Sequence, residues 1–316
     1  KADTFSLGER DFPARLIPPA RLVGRDAELV ALQDAFAEAL VSPRRTVLVE
    51  GVAGVGKSAL IEALRPLALA AGGWFVRGNF DQVHRDGAAE GAWAQVLRGI
   101  ARLLLAVPAD SLEAQRAAIL GALGQGAAVV TGFMPEFELL VGKQPPESGA
   151  DPRQAEFRLQ EAIVTLLAAV VSAARPLVIV MDDLQWAGAG SLRVFDRLMG
   201  EPRLRGLLLL GAYRPGSVAA EPALAAMQVR WRSLSQPPAC LTLANLTEAG
   251  VGELAGRMLR LPPDAAWALG AAVHALTGGN PFDTVEAINA LRRAGVLRLD
   301  REGWQWEGDA VRRFVG

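Results

Sequence analysis

The sequence contains little cysteine or lysine and carries almost no net charge, and these features exclude several classes of protein. Cys240 is the only cysteine among 316 residues, so a disulfide within the chain is excluded and a reducing cytoplasm is the expected compartment. The 33 basic and 34 acidic side chains leave a net charge of −1, which gives no electrostatic indication of a nucleic acid or membrane partner. The most apolar stretch, residues 163–181, is interrupted by Arg175-Pro176, which predicts a buried helix and a strand rather than a membrane span.

Lysine occurs only at positions 1, 57 and 143, and the other 30 of the 33 basic side chains are arginines. Lys57 is therefore an exception to the composition of the chain, and it stands in a glycine-rich segment. A compact, flexible ammonium fits between phosphate oxygens better than a planar guanidinium does. This supports a phosphate-binding role for Lys57.

The segment around Lys57 matches a phosphate-binding loop in its expected context, because an apolar run (46–49) precedes it and a helix-forming segment follows. Glycine lets the backbone curl its N–H groups toward a polyphosphate, and the following helix directs its positive end to the same point. Lys57 would reach the β- and γ-phosphates, and the Ser58 hydroxyl would ligate Mg2+. The residues expected to contact ATP or ADP are Gly51, Val52, Ala53, Gly54, Val55, Gly56, Lys57, Ser58 and Ala59.

Two acids, Asp182 and Asp183, end the apolar run 177–181. A buried parallel strand that ends in acids is typical of Mg2+ chemistry beside a phosphate loop. Asp182 would hold Mg2+ through its water shell, and Asp183 would orient or deprotonate the attacking water. The alternative is that both acids merely end a strand in solvent. Asp183 is one methylene shorter than glutamate, so we expect slow hydrolysis.

Arg214 follows another apolar run, 207–213. At the end of a parallel strand, its guanidinium would contact the γ-phosphate and respond to its presence. The alternative is an ion pair between Arg214 and a nearby acid.

Strand and helix patterns alternate and predict an α/β P-loop NTPase, with a mainly parallel five-stranded sheet between helices. The strands are expected at 46–49, 74–78, 177–181, 207–213 and 240–243. The expected domains are a linker (1–20), an ATPase core (21–245), a helical lid domain (246–295) and a hairpin or start of a winged-helix element (296–316). A helical insertion is expected at about 87–142, with helices at 93–105, 110–123 and 127–140, and a long helix at 152–174. The polar stretch 79–86 is either a structural loop or one that faces the nucleotide.

With these motifs, the chain resembles the STAND class of signal-transduction ATPases. Residues 22–29 look like the family's opening motif, 182–187 like its acidic element and 212–214 like its sensor. The resemblance implies that Val23, Gly24 and Arg25 lie against the base and sugar, and that Pro281 packs on adenine from the lid. Segments 78–82 and 304–307 look like parts of the ATPase region of large bacterial proteins that join a serine/threonine kinase to a histidine kinase. Because the sequence starts without a methionine, we expect it to be a piece of such a longer polypeptide.

The sequence departs from the family at Gly188, at 215–217 and at Phe282-Asp283, which also favours slow turnover. Our first hypothesis is a regulatory ATPase of a multidomain signalling protein. ATP hydrolysis to ADP and phosphate would change the orientation of core and lid, and thereby a partner or self-association surface. The alternative is a scaffold that holds ADP or ATP between signalling domains without hydrolysis. A phosphotransferase that acts on a small molecule is a third hypothesis, for which no acceptor-site residues are evident.

Overall fold

The computed structural model describes residues 12–42, 45–81, 91–145, 151–218, 222–301 and 303–314. The chain divides into two compact units, each with its own hydrophobic core. Unit 1 comprises Lys1–Asp26, Ala53–Gly56 and Ala244–Gly316. Unit 2 comprises Ala27–Val52 and Lys57–Leu243.

Unit 2 is built on a sheet of five parallel strands, which confirms the predicted α/β fold. The strands are β1 (Arg45–Glu50), β2 (Trp74–Asn79), β3 (Leu177–Asp182), β4 (Leu207–Tyr213) and β5 (Ala239–Thr242). Their spatial order is β2-β3-β4-β1-β5, and every neighbouring pair is parallel. All positions of β3 and β4 are buried, as expected of apolar runs covered on both faces. The carboxyl ends of β1, β3 and β4 therefore meet at one edge of the sheet.

Eleven helices accompany the strands of unit 2 in the described residues. They are α1 (Asp26–Val41), α2 (Lys57–Glu62), α3 (Arg65–Ala70), α4 (Ala92–Leu105), α5 (Ala109–Leu123), α6 (Gly126–Phe133), α7 (Glu138–Val141), α8 (Pro152–Val170), α9 (Ala189–Gly200), α10 (Pro215–Val218) and α11 (Pro222–Arg232). No single helix in the described ranges is long and apolar enough to cross a membrane. One pair of consecutive helical segments, Ser111–Leu123 and Gly126–Phe133, is long and apolar enough when taken together, but the pair is bent by 108°.

Two predicted helices end earlier than the sequence pattern indicated. The helix expected at 127–140 is broken at Met134, whose backbone is extended, and a 3-10 turn (Pro135–Phe137) separates α6 from α7. Proline pushes the residue before it out of the helical region, which explains the break. The helix expected at 152–174 ends at Val170, because Val171 is extended and Ser172 pairs with Arg175 in a turn. Of the polar stretch 79–86, residues 82–86 lie outside the described residues, as do residues 87–90 of the insertion.

Unit 1 contains four helices and a two-stranded hairpin in the described residues. They are α12 (Glu248–Leu259), α13 (Pro263–Thr277), α14 (Pro281–Arg293), β6 (Arg298–Leu299), β7 (Trp304–Gln305) and α15 (Gly308–Arg312). Strands β6 and β7 are antiparallel. A Cβ atom placed on Gly270 would lie 2.4 Å from Gly252 Cα, so α12 and α13 approach closely because both positions are glycine.

The expectation of an extended linker at 1–20 is wrong for its described part, residues 12–20. Leu16 is only 2% exposed and belongs to the core of unit 1. Its N–H donates to Asn289 Oδ1 at 2.8 Å, and Asn289 Nδ2 donates to the Leu16 carbonyl at 3.0 Å. The ring of Phe12 meets the edge of Trp304 with centroids 5.0 Å apart. A buried side chain with paired backbone groups belongs to a domain rather than to a linker, and residues 1–11 lie outside the described residues.

Candidate functional site

Lys57 is the first residue of α2, directly after the glycine loop, and its side chain is buried. Its Nζ donates to the carbonyls of Gly51 at 2.7 Å and Val52 at 3.0 Å. Burial and the nearby Arg214 guanidinium lower the pKa of Lys57, while Asp182 and Asp183 act in the opposite direction. The ammonium therefore lies over the first residues of the loop, in surroundings that only partly compensate its charge.

The tip of the loop, Ala53–Gly56, groups with unit 1 and receives three hydrogen bonds there. Asn280 Nδ2 donates to the Ala53 carbonyl at 2.8 Å, the Phe282 N–H to the Gly54 carbonyl at 3.2 Å, and Arg25 Nη2 to the Val55 carbonyl at 3.0 Å. A trans peptide directs each N–H opposite to the preceding carbonyl. The N–H groups of residues 54–56 consequently turn away from these donors, as a loop that binds an anion requires.

Glycine is required at the loop tip for two reasons. Gly54 and Gly56 have φ values of +75° and +101°, in the left-handed region that L side chains rarely adopt. A Cβ atom on Gly54 would also lie 2.6 Å from Asn280 Oδ1. The glycine spacing of the motif therefore matches both the backbone conformation and the close approach of Asn280.

Ser58 and Asp182 supply the oxygen atoms that could hold Mg2+. Ser58 Oγ donates to Asp182 Oδ2 at 2.8 Å, and Asp182 Oδ1 accepts the Asp183 N–H at 3.1 Å. Hydroxyl and carboxylate oxygens are the hard ligands that Mg2+ prefers, together with phosphate oxygens and water, so this pair fits the ion. The described residues contain no cluster of three or more His, Cys, Asp or Glu side chains that could hold a metal by themselves.

Asp183 lies at the centre of a second group of contacts, just beyond the end of β3. It has φ +55°, one of two non-glycine residues with positive φ in the described chain. Gln185 Nε2 donates to Asp183 Oδ1 at 2.5 Å, and Arg214 Nε lies 3.7 Å from the same oxygen. Arg214 therefore forms an ion pair with Asp183, the residue predicted to act as the general base. An ion pair with a nearby acid was the alternative hypothesis for this arginine.

The remaining predicted residues lie in two places. Val23 is in the core of unit 1, and Arg25 is buried and also donates to the Ala244 carbonyl at 2.6 Å. Gly24 has φ +61°, and Pro281 is the first residue of α14. Ala59 lies in α2 and is exposed. Contact of Val23, Gly24, Arg25 and Pro281 with a nucleotide base stays a prediction.

Three polar residues at the site have no role in the sequence prediction. Gln185 bridges Asp183 and the Arg214 backbone, and Asn280 holds the loop tip while its Oδ1 caps α14. Arg77 of β2 places Nη2 4.0 Å from Asp182 Oδ2. Gln185 lies within the acidic element 182–187 and Asn280 directly precedes Pro281, and these positions are the sequence signals that could have identified them.

Three solved structures are similar to this chain, each with a TM-score below 0.5. A Walker-type ATPase of Pyrococcus abyssi has TM-score 0.48 and 12% identity, covering 89% of this chain and 72% of its own. Drosophila ORC bound to DNA has TM-score 0.49 and 15% identity, covering 90% of this chain and 60% of its own. Cdc6p from Pyrobaculum aerophilum has TM-score 0.47 and 14% identity, covering 88% and 65%.

Sequence comparison gives one curated relative and one family match. The hybrid signal transduction histidine kinase G of Dictyostelium discoideum is 26% identical over 196 residues. The match covers 62% of this chain but only 6% of that protein, so the chain spans a small part of its relative. The family model described as "AAA ATPase domain" matches residues 21–210.

Proposed function

Because the chain belongs to the AAA ATPase domain family, we propose that it binds ATP with Mg2+ and hydrolyses it slowly, as a regulatory module of a multidomain signalling protein. One observation carries the proposal most directly, the 2.8 Å hydrogen bond between Ser58 of the phosphate loop and Asp182 of β3. It brings the two expected Mg2+ ligands together at the end of the loop where the terminal phosphates would lie.

Each residue of the proposed site has a separate role. Ser58 and Asp182 would hold Mg2+, which when bound neutralises charge on the phosphate oxygens. Lys57 would exchange its two carbonyl partners for phosphate oxygens, which stabilise its charge better than carbonyl oxygens do. Asp183 would accept a proton from the attacking water. We propose slow turnover because Asp183 is short and is already engaged by Gln185 and Arg214.

The proposed regulatory role depends on contacts that ADP cannot make. The γ-phosphate would compete with Asp183 for the Arg214 guanidinium, and only a difference in contacts between ATP and ADP can shift a conformational equilibrium. The loop contains residues of both units, since 53–56 group with unit 1 and its remaining residues with unit 2. We propose that the nucleotide state changes the relation between the units and, through it, self-association or contact with neighbouring signalling domains.

Two observations support a signalling setting. The STAND-like motifs belong to signalling ATPases, and the Dictyostelium relative is named a hybrid signal transduction histidine kinase. The chain spans 6% of that relative, so its activity and partners are not carried over to this chain.

Calorimetric titration with ATP and Mg2+ tests the binding half of this proposal. Lys57→Ala should weaken ATP binding by about tenfold or more, since it removes a charge-assisted contact to phosphate. Lys143→Ala is the matched control, because Lys143 is exposed and lies outside the site. Equal affinity in the parent protein and Lys57→Ala would contradict the assignment of the loop.

The contacts of Asp183 with Gln185 and Arg214 also favour a second function, that of a nucleotide-binding scaffold without hydrolysis. Phosphate release by the parent protein and by Asp183→Ala separates the two functions. A clear loss in the variant supports the ATPase, whereas equal release from both supports the scaffold. Light scattering with ATP and with ADP then tests whether self-association follows the nucleotide state.

A further inference from the structure

We infer that Gln185 is a positioning residue for ATP hydrolysis, which orients the Asp183 carboxylate and fixes it relative to the backbone of Arg214. The inference rests on the proposed function, because it concerns the residue assigned there as the base. It adds a group that neither the sequence motifs nor the family match assigns to the reaction.

The local backbone delivers Gln185 to this position. After β3 the chain turns at Asp183 in the left-handed conformation, and a 3-10 turn (Leu184–Trp186) follows. Leu184 anchors the turn, because a Cβ atom on Gly211 of β4 would lie only 2.5 Å from Leu184 Cδ1. The glycine leaves the space that Leu184 fills. The turn thereby places Gln185 in the interior, with 1% of its surface exposed.

The two ends of the Gln185 amide make hydrogen bonds of opposite polarity. Nε2 donates to Asp183 Oδ1 at 2.5 Å, and Oε1 accepts the Arg214 backbone N–H at 3.2 Å. The flipped amide would place an oxygen against the carboxylate and an NH2 group against an N–H, so the observed orientation is the only favourable one. A glutamate of the same length lacks the donor when ionised, and alanine lacks both groups.

The contacts of Asp183 differ in strength, and this difference gives Gln185 its role. The ion pair with Arg214 is 3.7 Å long with the arginine side chain 45% exposed, which makes it weak. The Gln185 bond is short, partly buried and made to a carboxylate oxygen, which makes it the stronger of the two contacts. When a γ-phosphate draws the Arg214 guanidinium away, the amide therefore keeps the carboxylate in place. Within the described residues both contacts fall on Oδ1, which assigns the proton-accepting role to Oδ2.

In the step concerned, a water oxygen bonds to the γ-phosphorus while the bond from that phosphorus to the β–γ bridging oxygen breaks. ADP leaves with the electron pair, and Asp183 Oδ2 takes one water proton. Gln185 does not touch the reacting atoms. Its contribution is the orientation of the carboxylate before the γ-phosphate arrives and after Arg214 moves.

The test measures ATP affinity and single-turnover phosphate release for the parent protein, Gln185→Ala and Gln185→Glu. We expect Gln185→Ala to keep the ATP affinity within about twofold and to lower kcat by about tenfold or more. The control is Gln160→Ala, a buried glutamine of unit 2 that donates to Glu156 at 3.2 Å, and it should retain the parental kcat. Unchanged kcat in Gln185→Ala overturns the inference, as does a loss of affinity that matches the loss of kcat.

Gln185→Glu keeps the test decisive if the alanine variant does not fold. The introduced carboxylate cannot donate to Asp183 Oδ1 and repels it, so Gln185→Glu should lower kcat by more than it lowers ATP affinity. A parental kcat in Gln185→Glu, or a loss of affinity as large as the loss of kcat, overturns the inference. A parent protein that binds ATP without phosphate release overturns the inference but leaves nucleotide binding intact. A parent protein that binds no ATP overturns the proposed function itself.

Discussion

Ser58 and Asp182 are 124 positions apart in the sequence, yet the Ser58 hydroxyl donates to Asp182 Oδ2 at 2.8 Å. One residue follows β1 in the phosphate loop and the other ends β3, and β4 lies between these two strands in the sheet. The pair therefore joins two elements that are not neighbours in the sheet. The carboxyl-end edge of the parallel sheet thereby brings together the two residues proposed to hold Mg2+.

The Ser58–Asp182 pair predicts how ATP binding depends on Mg2+. Ser58→Ala removes the hydroxyl proposed to ligate Mg2+ and leaves Asp182, which would hold the ion through its water shell, so Mg2+ should bind more weakly. We expect the gain in ATP affinity on adding Mg2+ to disappear largely in this variant, while affinity in EDTA stays close to parental. Calorimetry with and without Mg2+ measures this gain. Ser233→Ala is the control, since the exposed Ser233 hydroxyl donates to the nearby Arg230 carbonyl and lies outside the proposed site.

The lowered pKa of Lys57 predicts a pH dependence of ATP binding. Burial is the main cause of the shift from the ordinary 10.5, and the shift favours the neutral amine. Phosphate binding needs the charged form, so ATP affinity should fall as pH rises toward the lowered pKa, earlier than for an ordinary lysine. Titrations between about pH 7.5 and pH 9.5 measure the fall.

Lys57→Arg is the control for this pH dependence, because guanidinium stays charged over the whole range. The variant should bind ATP more weakly and lose the dependence. A pH dependence that persists unchanged in Lys57→Arg would assign the effect to another group.

The hydrogen bonds of Asn280 predict the effect of one substitution on ATP binding and on stability. Asn280 Oδ1 caps α14 by accepting the N–H groups of Phe282 and Asp283, while its Nδ2 donates to the Ala53 carbonyl. Asn280→Asp keeps the cap, which contributes about 1 kcal/mol, but replaces the donor by an oxygen. We expect ATP affinity to fall by about fivefold or more and Tm to fall by about 2–4 °C, since one hydrogen bond contributes about 1 kcal/mol and its loss opposes two oxygens.

Asn245→Ala is the matched control for Asn280. Asn245 also donates to a carbonyl within unit 1, but its acceptor is Gly278, at 2.9 Å, and not a residue of the loop tip. It should leave ATP affinity unchanged. If Asn280→Asp binds ATP as the parent protein does, the hydrogen bond to Ala53 has no part in shaping the loop.

Leu16 predicts that the N-terminal segment contributes to folding. Leu16→Ala should lower the free energy of unfolding by about 2–4 kcal/mol, the usual cost of truncating a buried leucine. Its neighbour Ile17 is 70% exposed and gives the control, because Ile17→Ala should have an effect of at most about 0.5 kcal/mol. Urea unfolding measures the free energy of unfolding of both variants. If the two substitutions have equally small effects, residues 12–20 behave as a linker.

The sheet was predictable because its central strands, β3 and β4, are apolar runs in which every position is buried. The loop was predictable because its glycines serve a fixed backbone shape. The local sequence pattern could not predict the burial of Leu16, because its side chain packs in the core of unit 1 and its backbone pairs with Asn289, 273 positions away. Nor could it predict the position of Gln185, because its two hydrogen-bond partners are Asp183, which has a left-handed backbone, and Arg214, which follows a different strand. Pro135 was visible in the sequence, and the helix prediction across it gave apolar periodicity too much weight.

The contact between Gly252 and Gly270 also has a mechanical consequence. Because the two backbones meet with no side chain between them, turning either α12 or α13 about its own axis would bring a side chain into a space that holds none. The Thr277 and Thr284 hydroxyls lie 3.2 Å apart and tie the end of α13 to the first turn of α14. The glycine contact therefore fixes the rotational setting of α12 against α13, and the hydroxyl pair joins α14 to that helix pair.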